Sequence, residues 1–218
     1  MPFIRKEFSL KTRATATALA VFLTGMCLLS WRPTSVLQGD MERLLGQQQY
    51  STASYMAADI QEQMEMRRGS LEQRAADIAP AALTQPGAVQ AILQRHLTTG
   101  RMFNDGLIVY RRDGTAVATL PHRPERVGVN FRDRDYLAGA LNDGVTTIGK
   151  PDRGKTTHAP LVVIAAPIRD HLGTVVGAVS GISNLNRPNF LDRLATGRYG
   201  DSGGYMLIAE KEGLIVTA

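Results

Sequence analysis

The run Ala14–Trp31, ATATALAVFLTGMCLLSW, carries no charged residue. As a helix it spans roughly 27 Å, just enough to cross the hydrocarbon core of a bilayer. Arg5, Lys6, Lys11 and Arg13 precede it against the single acid Glu7, which is the positive-inside pattern. Trp31 and Arg32 suit the far interface. A cleaved signal peptide is the competing reading, but its apolar segment would be shorter and small residues would mark a cleavage site. LLSWRP offers none. The expectation is a cytoplasmic basic tail over 1–13, an uncleaved single-pass helix over 14–31 in the plasma (inner) membrane, and a main domain that is periplasmic or extracellular. The tail also accounts for much of the net charge of +5, so no basic face for nucleic acid is implied. With 44% hydrophobic and 21% charged residues the remainder has an ordinary globular balance. Cys27 is the only cysteine, which excludes an internal disulfide and any cysteine-based zinc site.

From Leu37 to about Ile78 apolar residues recur mostly three or four apart, among them Leu44, Leu45, Met56, Ile60, Met64, Leu71, Ala75 and Ile78. No proline interrupts the pattern before Pro80. The spacing predicts a stalk helix over 32–80, packing in part on its own domain and pairing in part with a second copy as a homodimer. After Pro80 and Pro86, GAVQAILQRHL reads as a short helix. Three segments then repeat one theme, an apolar run, a turn and another apolar run. They are Gly106–Leu120 around Asp113-Gly114, Ala159–Ile182 around Asp170 and Gly173, and Gly204–Ala218 around Glu212-Gly213. Such turns between β-rich runs signal hairpins. Short helices are expected at Asp133–Leu141 and near Phe190–Leu194. The fold class is α+β, an antiparallel sheet with helices on one side, with one subdomain over 81–185 and the start of a second over 186–218. The strand LIVTA at the end would open a second sheet without most of its partners, so the sequence reads as a truncated product or a fragment.

GDSGG, Gly200–Gly204, resembles the nucleophile loop of chymotrypsin-type serine proteases. That chemistry needs a histidine base, an orienting aspartate and an oxyanion hole around Ser202. None of His96, His122, His158 and His171 lies in the family's histidine context, and Tyr205 stands where the family has proline. A glycine-rich turn before a strand is the better reading, and serine hydrolysis stays a remote alternative. The scattered histidines give no metal-ligand spacing, and no phosphate loop or dinucleotide fingerprint is present. No metal or cofactor is expected, and the chain is read as a sensor region and not an enzyme.

NFRDRDY, Asn130–Tyr136, places two arginines and two aspartates before an apolar helix face. On residue chemistry alone Asp133 is a helix N-cap, Asp135 a favourable first-turn acid and the arginines solvated. The functional alternative is a helix N-terminus which, with Arg134 and Tyr136 beside it, attracts carboxylates.

The surrounding order of motifs resembles the extracytoplasmic double Cache (PDC-type, PAS-like) sensor domains of bacterial receptors. An anchor precedes a long helix, VGVNFRDRDYLAGAL is similar to the family's helix motif, and TIGKP and LVVIAAPIRDHLGTVVGAVSGISNL follow like its central strands. FLDRLATGRYGDSGGYMLIAEKEGLIV resembles the link into the membrane-proximal subdomain, which accounts for GDSGG without a protease. The likeness covers Gln38–Ala218, and its DRDY version looks most like sensors of diguanylate cyclases, with histidine kinases and chemoreceptors close behind.

The resemblance implies a small-molecule pocket in the membrane-distal subdomain, with Arg134 and Tyr136 matching the arginine and aromatic that contact a ligand carboxylate. Asp133, Tyr110, Arg153 and Lys155 are further pocket candidates, the last two in the loop Asp152–His158. A strand tyrosine and a solvated turn are the alternatives. Amino-acid-binding members carry a second aromatic where this chain has Leu137, and an aspartate for the ligand's amine where it has Ile182. The expected ligand is therefore an organic acid or another small anion. A non-binding structural remnant of such a receptor is the alternative.

Overall fold

The computed structural model describes residues 10–95, 101–192, 198–199, 203–204, 206–209 and 214–217, with backbone alone for 29–39, 86, 198–199, 203–204, 208–209 and 214–217. The chain divides into two units, Met1–Tyr55 and Met56–Ala218. Helix α1, Leu10–Asp77, belongs to both. It continues without a break where the sequence reading set a boundary between a membrane helix and a stalk at residue 31.

In the first unit Leu19, Val21, Phe22, Leu23, Met26 and Leu28 are exposed, as are Met41, Leu44 and Leu45. The run Ala14–Trp31 ends in the stretch described by backbone alone. Among the described residues no helix is long and apolar enough to cross a membrane.

In the second unit α1 buries Leu71, Ala75 and Ile78 against the sheet. The helix stops because Ala79 precedes Pro80, which disfavours the helical conformation, and Ala79 is extended with ψ 134°. A 3-10 turn, Pro80–Thr84, and helix α2, Pro86–Gln94, follow.

The sheet is built from β1 (Gly106–Arg111), β2 (Ala116–Leu120), β3 (Thr147–Ile148), β4 (Asp152–Arg153), β5 (Pro160–Arg169) and β6 (Val175–Asn184). Its order is β2-β1-β6-β5-β3, with β4 also on β5, and every pairing is antiparallel. Gly114, at φ +86°, makes the β1–β2 turn, where the Asp113 carboxylate accepts from the Thr115 amide at 2.8 Å. Asp170 accepts from the Leu172 and Thr174 amides in the β5–β6 turn. Beyond this sheet β9 (Leu207–Ala209) pairs with β10 (Leu214–Thr217), and β7 (Arg198–Tyr199) pairs with β8 (Gly203–Gly204). The turn Glu212-Gly213 and Ser202 lie outside the described residues. So does the end of the helix expected at Phe190–Leu194; Phe190 itself lies under the Arg67 guanidinium, 4.1 Å from its carbon.

The expectation of helices on one side needs correction, because both faces are covered. Leu107 and Val109 pack with Leu71, Ile78, Val89 and Leu93 on the face of α1 and α2. Ile108 and Tyr110 pack with Phe131, Tyr136, Leu137 and Leu141 on the other. Alternate residues of one strand point to opposite faces, so β1 reads as an unbroken apolar run because each face is buried. The second cover contains helix α3, Asp135–Ala138, and a π turn, Gly139–Asp143. Just beyond it the Thr146 hydroxyl, beside Glu72 of α1, holds that carboxyl below the usual range.

Leu71 is fully buried and Leu172, at the β5–β6 turn, is 77% exposed. Leu71→Ala is expected to cost about 2–5 kcal/mol, and Leu172→Ala about 0.5 kcal/mol or less. Denaturant unfolding of the two variants, followed by circular dichroism, checks the contrast.

Candidate functional site

The site is built where the chain crosses from β2 to the second face. A 3-10 turn, Pro124–Arg126, leads out of β2. The next residues are tied to the β1–β2 hairpin: the Ala116 amide donates to the Val129 carbonyl at 2.9 Å and the Phe131 amide to the Gly114 carbonyl at 2.9 Å. The Asn130 amide nitrogen donates to the Asp113 carbonyl at 2.9 Å. With Asn130 fixed, the side chains of the following segment separate by face. Phe131 turns inward, edge-on to Tyr110 with ring centroids 5.6 Å apart. Arg132 turns outward and donates to the Arg112 carbonyl at 2.9 Å. Tyr136 is buried.

The opposite wall is the stretch from Gly149 to Lys155, held to β5 by the Gly149 amide on the Val163 carbonyl at 2.8 Å. It is strapped to the first wall by charged contacts. The Arg134 guanidinium pairs with Asp152. Lys155 Nζ lies 2.9 Å from Asp133 Oδ1 and donates to the Asn130 carbonyl at 2.8 Å. The Lys150 amide donates to Asp135 Oδ2 at 3.0 Å. The walls approach so closely at Gly149 that a Cβ there would lie 2.9 Å from the Tyr136 side chain.

Between the walls is a small cavity open to solvent at its mouth. Ile108, Leu161, Val163, Ile182 and Phe131 make its apolar lining. The charged lining is Arg126, Arg134, Lys150, Arg153 and Lys155 against Asp135 and Asp152. This surplus of cations suits an anion. Burial pushes the Tyr136 phenol up to about 12, so at neutral pH it stays protonated and able to donate. Tyr110 is pushed well above its ordinary value, again by burial. Its hydroxyl meets Ser180 Oγ at 2.9 Å and also interacts with Tyr136.

Arg134, Tyr136, Arg153 and Lys155 line the cavity; Tyr110 and Asp133 do not. Tyr110 stands behind the wall in the core. Asp133 is not the helix cap: α3 starts at Asp135, Arg134 holds the cap position, and no side chain caps it. Lys155 and Arg134 claim the Asp133 carboxylate instead. Because α3 is a single turn, its dipole is small, and the charge that would attract an anion comes from side chains. Thr156 lines it from within the loop Asp152–His158, whereas sequence reasoning missed Arg126, Lys150 and Asp135 as lining residues. Each looks like a solvated loop residue, and the only signal for Arg126 was an unpaired acid, Asp105, ahead of an apolar strand.

A family profile described as Cache domain (dCache_1) matches residues 38–218. No curated protein matches the chain. Among solved structures it is similar to the ligand-binding domain of the amino acid chemoreceptor PctB of Pseudomonas aeruginosa PAO1 in complex with L-Arg. The TM-score is 0.60 at 24% identity, over 76% of this chain and 62% of that one. The Pseudomonas fluorescens chemoreceptor CtaA with L-alanine gives 0.58 at 24% identity, over 76% and 68%. An extracellular ligand binding receptor from Desulfohalobium retbaense gives 0.57 at 14% identity, over 65% of this chain and 26% of that one. The chain thus spans between about a quarter and two thirds of these three.

The hydrogen bond from Lys155 holds the Asp133 carboxyl below its ordinary 3.8. The pair's contribution is therefore complete above pH 3.8 and disappears as pH falls through the lower folded value. Thermal melts of the wild type and Asp133→Asn at stepped pH should show a small stability difference at neutrality. The difference should close in acid.

Proposed function

The chain belongs to the Cache-domain family, and from that premise we propose that it is the ligand-sensing region of a membrane receptor, taking a small organic acid in the cavity beside Arg134. The observation that carries this reading is the cation-rich lining of the cavity. Arg134 is only 20% exposed, yet its partner Asp152 is 64% exposed. A ligand carboxylate can replace Asp152 on the guanidinium while Asp152 swings into water, and the Tyr136 phenol supplies a neutral donor next to it. The similar chemoreceptor domains hold L-Arg and L-alanine, and an amino acid is the second reading. Against it, Ile182 lines the cavity where the family resemblance puts an amine-binding aspartate. Of the lining carboxylates, Asp135 is also engaged already, by the Tyr136 and Lys150 amides.

The receptor reading places the uncharged run Ala14–Trp31 in the inner membrane with the basic tail in the cytoplasm. Exposed Leu19, Val21, Phe22 and Leu23 suit a lipid surround. The exposed residues Met41, Leu44 and Leu45 sit at heptad-like spacing and suit a homodimeric stalk. The DRDY segment favours a diguanylate cyclase output over a histidine kinase or a chemoreceptor.

Thermal shift of the full chain in detergent, with acetate, lactate, succinate, L-alanine and L-arginine in turn, tests the ligand class. An acid is expected to stabilise the chain, by about 2.7 kcal/mol at a hundred times its dissociation constant, and Arg134→Ala to abolish the shift. Stabilisation by the amino acids alone would overturn the organic-acid reading, and binding retained by Arg134→Ala would overturn the site. For the stalk, Leu44→Cys in a Cys27→Ser background is expected to oxidise to a dimer in membranes, whereas Glu42→Cys is not. Equal cross-linking at both positions would sink the proposed dimer face.

A further inference from the structure

We propose that the loop tip Asp152–His158 is a gate, held by charge against the segment Asn130–Tyr136, and that it swings aside to admit a ligand to the cavity. This rests on the reading of the cavity as the ligand site. The cavity has a volume of about 30 Å³, room for about two water molecules. Sites for small molecules commonly need about 300–1,000 Å³. An organic acid therefore does not fit between the walls as they stand, and one wall has to move.

The two walls are not held alike. The first is tied to the β1–β2 hairpin through the Ala116 amide on the Val129 carbonyl and the Phe131 amide on the Gly114 carbonyl, and it buries Phe131 and Tyr136 in the core. The tip of the second, DRGKTTH, has no apolar side chain, so no core burial holds it. Its strand β4 is two residues long and lies at the edge of the sheet on β5. The contacts that join the tip to the first wall are charged. Asp152 pairs with Arg134, and Lys155 Nζ lies 2.9 Å from Asp133 Oδ1 and 2.8 Å from the Asn130 carbonyl oxygen. The Asp152, Asp133 and Lys155 side chains are 64%, 58% and 37% exposed, so water competes with each pair. The closed tip also buries Thr157 Oγ1 with no hydrogen-bond partner among the described residues. A hydroxyl unpaired in this way favours an arrangement in which it meets water.

Thiol accessibility in the full chain, in detergent and in a Cys27→Ser background, tests the gate without any ligand. Ile108 and Val109 are neighbours on β1 and both are buried, but Ile108 lines the cavity and Val109 packs on the opposite face. Reaction of Ile108→Cys with a soluble thiol reagent reports opening of the gate, and reaction of Val109→Cys reports opening of the whole fold. Adding Asp152→Asn and Lys155→Gln together is expected to speed the first by roughly fivefold and to leave the second unchanged. High salt should act in the same direction on the charged gate and lose its effect once the two charges are gone. No acceleration of Ile108→Cys, or equal acceleration of both thiols, would overturn the gate. If Ile108→Cys does not fold, Ile182→Cys, which also lines the cavity, is read against the same control. An accelerated cavity thiol in a chain that no acid stabilises would instead overturn the ligand reading and support the gate.

Discussion

Strands β1, β5 and β6 present apolar side chains to both faces of the sheet, so neither face can be left to water. Helices α1 and α2 close one face with Leu71, Ile78, Val89 and Leu93. The other has no long helix among the described residues and is closed by the segment that joins β2 to β3. That segment is anchored by backbone bonds to the β1–β2 hairpin, which fixes where Phe131 and Tyr136 enter the core. Its cover is incomplete, and the cavity is the gap left between it and the stretch from Gly149 to Lys155. The pocket is thus a consequence of how the second face is covered.

The two arginines of the cavity are held in different ways. Arg134 is paired with a carboxylate that is mostly in water, and exposed pairs contribute only about 0–1 kcal/mol. Arg126 is paired in the interior with Asp105, where removal of one partner costs about 3–5 kcal/mol. Arg134 can therefore change partners at little cost, while the position of Arg126 is fixed by the fold.

The hairpins were legible because Asp113-Gly114 and the Asp170–Gly173 turn carry their own local chemistry, and the apolar period of α1 was legible for the same reason. The NFRDRDY segment was singled out as a candidate site through family resemblance, since its residues read alone suggest a capped helix. Asp133 misled that reading because its partner, Lys155, lies far along the chain and no local pattern announces it. Arg126 was invisible on the same ground, its partner Asp105 being on the far side of a hairpin. The helix expected at Asp133–Leu141 was legible from its apolar face, and α3 and the π turn lie there; that it covers the face opposite α1 and α2 was not, because no local pattern says which side of the sheet a helix takes. Local turn chemistry and helical period survive in a sequence read alone, whereas charge pairs closed by the fold do not.

Thr146 lies beside Glu72, and this approach brings together two parts of the molecule that otherwise serve different faces of the sheet. Thr146 stands three residues past the π turn that ends the second cover, and Glu72 lies on α1 one residue from the buried Leu71. The connection from Tyr136 to Thr146 consists of α3, the π turn and two further residues, so it has little slack. The segment that carries Tyr136 and the long helix therefore come together in a cleft outside the stack of strands that separates them.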